Sequence, residues 1–294
     1  MENKVNQKII FVLLIIIIFI VLFYGNNLFF KKDKIIANIN NINIYEKDIV
    51  NAQKTEECYG GEKYSEEVTL IKLINVSLEK LVLNYFEDDF PSKEDILQKS
   101  DWVDENTKAP EILNCVKDVY SSSKDDYLFW YISPIIENNS LYQSFFASKE
   151  INKEEFDKIQ LIKNRIERGE KISEIEDYSI ISINKKENVS DVLKEYDQYD
   201  KANFLIEDIL SNLSPEETWP EIIEQEYSYN IYELKEETES SFIVGVISVL
   251  KKDFDVWFKD YVKSNVKIKI FEESLSQKII NDHKDVWWSQ YINN

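Results

Sequence analysis

The sequence predicts an α+β chain. One N-terminal transmembrane helix leads into long helices with a few strands. Three observations predict this. Ile9 to Tyr24 reads IIFVLLIIIIFIVLFY, with no polar side chain before the terminal tyrosine. Only five glycines and five prolines occur in 294 residues, too few for a sandwich or barrel of many tight turns. Apolar side chains recur at three- and four-residue steps through most of the rest, with strand-like patterns confined to a few short stretches.

Hydrophobic residues make up 44% of the chain and aromatics 13%, so a packed core is available despite the net charge of −20. That charge excludes nucleic acid as a partner, because neutralising phosphates needs a basic stripe. It also repels anionic lipid headgroups and acidic partners.

A bilayer core of roughly 30 Å takes about 20 helical residues. Ile9 to Phe30 is long enough if Asn26 and Asn27 lie near the interface. The alternative is a cleaved signal peptide, but Tyr24, Asn26, Asn27 and Leu28 do not form a small-x-small cleavage pattern. An uncleaved anchor is therefore expected. Lysines flank both ends and leave its orientation open.

Ile35 to Ile44, IIANINNINI, predicts a hairpin turning at Asn40-Asn41, since asparagine tolerates positive φ. A helix is expected from Glu46, with Ile49 and Val50 inward, ending near Gly60-Gly61. A long helix from Ser65 to Asp88 carries Val68, Ile71, Ile74, Leu78, Leu81, Val82 and Tyr85 as one stripe. Ser92 caps the next, with Glu94 and Asp95 in its first turn. Another runs from Pro110 to Tyr120. Ser123 opens an aromatic-rich helix that Pro134 kinks or divides.

Phe156, Ile159, Ile162 and Ile166 predict an amphipathic helix stopped by Gly169, and Ile172 and Ile175 continue its apolar side. Asn184 to Asp200 is polar and aperiodic. Phe204 to Leu213 reads as a short helix and Pro215 to Pro220 as a loop. Tyr227 to Leu234 and Ser241 to Leu250 read as paired strands. A helix over Phe254 to Val262, a half-buried strand over Val266 to Ile270, and a final helix carrying Leu275, Ile279, Ile280, Trp287 and Trp288 complete the chain.

The order of these pieces resembles the SurA/PrsA-type extracytoplasmic chaperones. IANINNINIYEKDIVNA at 36–52 is similar to the hairpin and helix that open that family's chaperone domain, and VTLIKLINVSLEKLVLNYF at 68–86 to its long second helix. FDVWFKDYVKSNVKIKIF at 254–271 resembles the helix and strand that close it. Between them, IQLIKNRIERGEKISEIEDYS at 159–179 resembles the first helix of a parvulin-type (PpiC) prolyl isomerase domain. FLIEDILSNLSPEETWPEIIEQEYSYNIYEL at 204–234 resembles its later helix, loop and last strand.

The resemblance implies an anchor with flanks at 1–34 and a chaperone domain at 35–150 completed by 250–271. It further implies a parvulin-like domain at 151–249 and a helical tail at 272–294. It places the large domain on the extracytoplasmic side of the cytoplasmic membrane, with unfolded or exported polypeptides as partners and no cofactor.

The departures concern chemistry. Where the family's last strand carries a histidine, this chain reads Ser228-Tyr229-Asn230-Ile231. The family's first strand, with its own histidine, is not recognisable before Phe156. Isomerisation requires a pocket that favours the twisted amide over a barrier of about 18–20 kcal/mol. The expectation is a degenerate, inactive domain. An atypical active site around Asn230 and Tyr229 stays open, as does a structural or assembly module of the cell envelope.

No Walker A, GxGxxG, HExxH or GxSxG motif is present. One histidine, His283, and two distant cysteines do not make a zinc site. Cys58 and Cys115 are compatible with one disulfide or with two separate thiols. Tyr127, Phe129, Trp130, Tyr131, Phe145 and Phe146, with Tyr142 beside them, read either as core or as a groove for apolar segments. Trp287 and Trp288 are candidates for contact with a membrane interface.

Overall fold

A computed structural model describes residues 33–86, 93–106, 109–184 and 209–292. The expected span at 9–30 lies outside these residues, as do most of the polar stretch after Asn184 and the first half of the helix expected from Phe204. Among the described residues no helix is long and apolar enough to cross a membrane. The chain is α+β, with helices and two sheets. It divides into two compact units. One holds the described residues through Leu78, Trp102–Tyr131 and those from Val266 onward. The other holds those within Glu79–Asp101 and Ile132–Asn265.

The first unit is organised by a three-stranded sheet. β1 (Ile35–Ile39) and β2 (Ile42–Tyr45) form the hairpin, and β7 (Ile268–Ile270) pairs antiparallel on the other side of β1, Ala37 opposite Ile270. Asn40 makes this possible twice over. Its backbone takes φ 49° for the turn, and its Oδ1 accepts from the Lys267 N–H at 2.8 Å, fixing the entry of β7.

Helix α1 (Glu46–Cys58) starts where the Tyr45 N–H donates to Asp48 Oδ2 at 2.8 Å. It buries Ile49 but leaves Val50 41% exposed, against the expectation that both face inward. Helix α2 (Glu66–Leu83) is buried on a wider face than one stripe: Leu70 and Leu73 join Ile71, Ile74 and Leu78 in the core, while Tyr85, beyond its end, is exposed. α3 (Lys93–Asn106) and α4 (Pro110–Val119) follow, and α4 packs on α1. Cys58 and Cys115 are disulfide-bonded between these two helices, so of the two readings the sequence leaves open the bonded one holds.

Ser123 accepts from the Asp126 N–H to cap the short α5 (Lys124–Tyr127). A π-helical turn, Leu128–Ile132, then leads into α6 (Ser133–Ala147), with Pro134 in its first turn. The proline thus starts a helix segment after a widened turn rather than breaking one.

The second unit contains a four-stranded antiparallel sheet in the order β3 (Tyr178–Asn184), β6 (Ser241–Leu250), β5 (Ser228–Glu237), β4 (Ile223–Glu224). α7 (Lys153–Glu167) and the turn after it cover one face with Ile159, Ile172 and Ile175 against Tyr229, Ile231 and Ile247. The other face packs Tyr232, Leu234, Phe242, Val244 and Val246 with Ile209 and Leu210. Covered on both sides, the first seven residues of β5 are all buried. Gly169 ends α7 at φ 97°.

β3 and β4 are strands that the periodicity does not announce. α6 and α8 (Phe254–Asn265), expected with the hairpin body, instead cluster with this sheet. Phe145 on α6 packs its ring on Phe254 and Trp257 of α8, which ties these two helices together.

At the C-terminal end, α9 (Glu273–Asp282) is shorter than the expected helix, and a 3-10 turn, Ser289–Tyr291, follows. Trp288 is fully buried and donates its Nε1–H to Asn75 Oδ1 at 2.7 Å. It anchors the tail in the first unit and has no surface for a membrane.

Candidate functional site

Asn230 lies on β5 and is 1% exposed. Its Nδ2 donates to Gln225 Oε1 and to Ser228 Oγ, both at 2.9 Å, and its Oδ1 accepts from Ser248 Oγ at 2.6 Å. Both amide hydrogens and the carbonyl are engaged by neighbours on β5, β6 and the turn before β5. Neither donor remains for a peptide, and the cluster behaves as a satisfied buried network. Tyr229 is equally buried. Phe156 lies edge-on to its ring at 5.4 Å, and Lys251 Nζ stands 5.0 Å from its centroid. Lys251 in turn donates to the Phe146 carbonyl at 2.7 Å and to Glu224 at 2.8 Å. The chain between α6 and α7, residues 148–152, forms turns and no strand.

The aromatic candidates separate into two groups. Tyr127, Phe129, Trp130 and Tyr131 belong to the first unit, and Phe145 and Phe146 to the second. Tyr127 and Tyr131 are buried and stack at 5.4 Å, Tyr120 lies 5.9 Å from Tyr127, and the Tyr131 hydroxyl meets that of Tyr59 at 2.6 Å. Phe129 and Trp130 are half-buried, edge to face at 4.7 Å. Phe145 is fully buried. Tyr127, Tyr131 and Phe145 are therefore core rings, so for these three the core alternative holds over the groove. Burial of large rings wins over display because each removes so much apolar area from water.

A better surface lies on α8, which the resemblance implies only as a closing helix. On α8, Phe254, Trp257, Phe258 and Tyr261 recur at i, i+3, i+4 and i+7, so all four rings share one face. Tyr85 lies 5.9 Å from Trp257 and 5.5 Å from Tyr261; Tyr142 lies 4.3 Å from Phe254. Phe86, Phe145 and Phe254 are buried and form the floor. Trp257, Phe258 and Tyr261 are half-buried above it, and Tyr85 and Tyr142 are each 42% exposed. Through Phe145, Phe146 and Tyr227 the ring contacts continue to the start of β5. The signal was present as the aromatic spacing in FDVWFKDYV, but spacing alone does not tell a buried face from a half-exposed one.

Three other clusters bear on chemistry. Lys80, Ser133 and Glu137 are buried together in the second unit. Lys80 donates to Glu137 Oε2 at 2.7 Å and to Ser133, and Ser133 donates to Glu137. A serine beside a lysine suggests a nucleophile and base. Here, however, the hydroxyl is spent on a carboxylate and closed to solvent, so the cluster is an internal ion pair. Asp48 in the first unit is buried with Oδ1 unpartnered, and burial pushes its carboxyl up to about 6. A cleft of about 170 Å³ lies among Lys163, Ile166, Trp219, Pro220 and Ile231, with Lys163 held by Glu221 at 3.3 Å. Among the described residues no group of three or more His, Cys, Asp or Glu side chains is placed to hold a metal.

No protein-family model, curated protein or solved structure matches the chain.

Proposed function

We propose that this chain is a membrane-anchored, extracytoplasmic chaperone-like protein that holds unfolded or exported polypeptide segments on the α8 ring strip. Its parvulin-like part serves as a brace without isomerase activity. The observation that carries the reading is the strip itself: half-buried rings over a floor of buried ones, a surface that accepts many side chains with little demand for sequence. Three further observations support it. The C-terminal strand closes on the N-terminal hairpin, as the resemblance implies. The Cys58–Cys115 disulfide suits an oxidising compartment. The apolar run at 9–30 suits an anchor.

Aggregation suppression tests it. In lipid nanodiscs, the full chain at severalfold excess keeps a chemically unfolded client soluble, and Tyr85→Ser/Tyr142→Ser, which alters two exposed rings, loses most of that protection. No suppression by the unaltered chain rules out the holding role. The absence of isomerase activity is tested separately with a proline-peptide assay. The expected outcome is no acceleration by the unaltered chain. Acceleration abolished in Asn230→Ala would establish an atypical active site instead.

A further inference from the structure

Among the described residues, carboxylates lie along both borders of the ring strip. Around α8, successive residues step by 100°, which places Trp257, Tyr261, Phe254 and Phe258 in one arc. Asp260 lies along one edge of that arc and Asp255 along the other, with Asp253 just before the helix start, all three exposed. Lys263 falls on the opposite side of the helix, and Lys259 lies between it and Asp255. Beyond α8, Glu79 adds a fourth carboxylate. The Tyr142 phenol is pushed up first by burial and then by the negative charge of Asp255 and Glu79, which places both carboxylates within electrostatic reach of that exposed ring. Two of the nearby cations are committed elsewhere, Lys80 to Glu137 and Lys251 to Glu224.

We infer that the segments taken by this strip are apolar polypeptides carrying Lys or Arg beside their apolar side chains. This rests on the holding role proposed above and specifies its client class. The apolar side chains lie on the rings, while the flanking cations meet Asp255 and Asp260 and the faces of Tyr142 and Tyr261. A segment with carboxylates in the same places meets like charge on both borders and is rejected. The net charge of −20 draws basic segments toward the whole molecule, but it does not by itself couple charge to the rings.

The test uses the full chain in nanodiscs of neutral lipid. The probes are three fluorescent, unstructured peptides of equal length, each alternating Leu and Phe with Lys, Ser or Glu. The lysine peptide is expected to bind at least tenfold tighter than the glutamate peptide. In Asp255→Asn/Asp260→Asn that ratio falls severalfold. Asp253 is left intact because its Oδ1 accepts from the Val256 N–H at the helix start. The control Glu236→Gln/Glu239→Gln removes the same charge from exposed positions on β5 and the turn after it, and keeps the full ratio. A ratio near one overturns the charge preference even if all three peptides bind. A ratio lost equally in the control assigns it to net charge and also overturns the inference. Failure of all three to bind overturns the holding role together with it.

Discussion

Asp48 is both a helix cap and a buried charge. Its Oδ2 accepts from the Tyr45 N–H, while Oδ1 has no partner. Burial pushes the carboxyl up to about 6, and the negative charge of Asp126 adds to this. The Tyr45 N–H, Lys47 and the Trp130 indole favour the charged form but do not offset the desolvation. The folded pKa thus lies above the unfolded value of 3.8. The favourable contribution of the protonated group is complete below about pH 4 and is lost as pH rises through about 6. Above that, the ionised carboxyl costs on the order of 2–3 kcal/mol. Asp48→Asn keeps an acceptor for Tyr45 and carries no charge. It is expected to stabilise the fold by roughly 1–2 kcal/mol at pH 7.5 and to change it little at pH 4.5. Urea midpoints of both proteins at the two pH values check this; a difference that does not grow with pH refutes it. None of this is visible in linear sequence, because the burial and the charge of Asp126 reach Asp48 only through the fold.

At the scale of elements, what could be read depended on whether a local signal existed. Asn40 announces the hairpin because few residues take positive φ, and the structure uses both its backbone and its side chain. Ser123 and Gly169 mark helix ends for similar reasons. β3 has no clear local signal because Ile180 and Ile181 are adjacent and both exposed, which breaks the alternation of a half-buried strand; only the β-branched density of YSIISIN hints at it. The α8 rings were legible as a face but not as a surface. Nothing in the spacing says that Tyr85 and Tyr142 lie at its margin, because those contacts span more than 100 residues.

Gly245 on β6 depends on such a non-local contact. A Cβ there would meet the Tyr178 ring of β3 at 2.5–2.9 Å. Alanine in a strand ordinarily gains roughly 0.5–1 kcal/mol over glycine. Here Gly245→Ala is expected to lose about 1–3 kcal/mol, because neighbouring strands fix the ring. In a Tyr178→Ala background the loss shrinks or reverses, and thermal denaturation of the four proteins of that cycle measures it. Equal losses in both backgrounds would show that the ring is not the cause.

For the molecule as a whole, the covalent link between Cys58 and Cys115 connects folding to location. The bond closes 57 residues of chain. On loop-closure entropy, a cross-link of that span stabilises by about 4 kcal/mol, and engineered comparisons more often give about 2–4. Marginally stable domains have only about 5–15 kcal/mol in all, so the reduced protein is expected to lose a large share of its reserve. Cys58→Ser/Cys115→Ser therefore lowers the urea midpoint, and reductant lowers that of the parent to the same value while leaving the variant unmoved. The compartment follows from the same pair. Since no other cysteine occurs, a chain exported to an oxidising space carries no alkylatable thiol when trapped in intact cells, whereas one retained in a reducing cytoplasm labels twice. Double labelling would place the domain on the cytoplasmic side and remove exported polypeptides as its clients, whatever the ring strip binds in vitro.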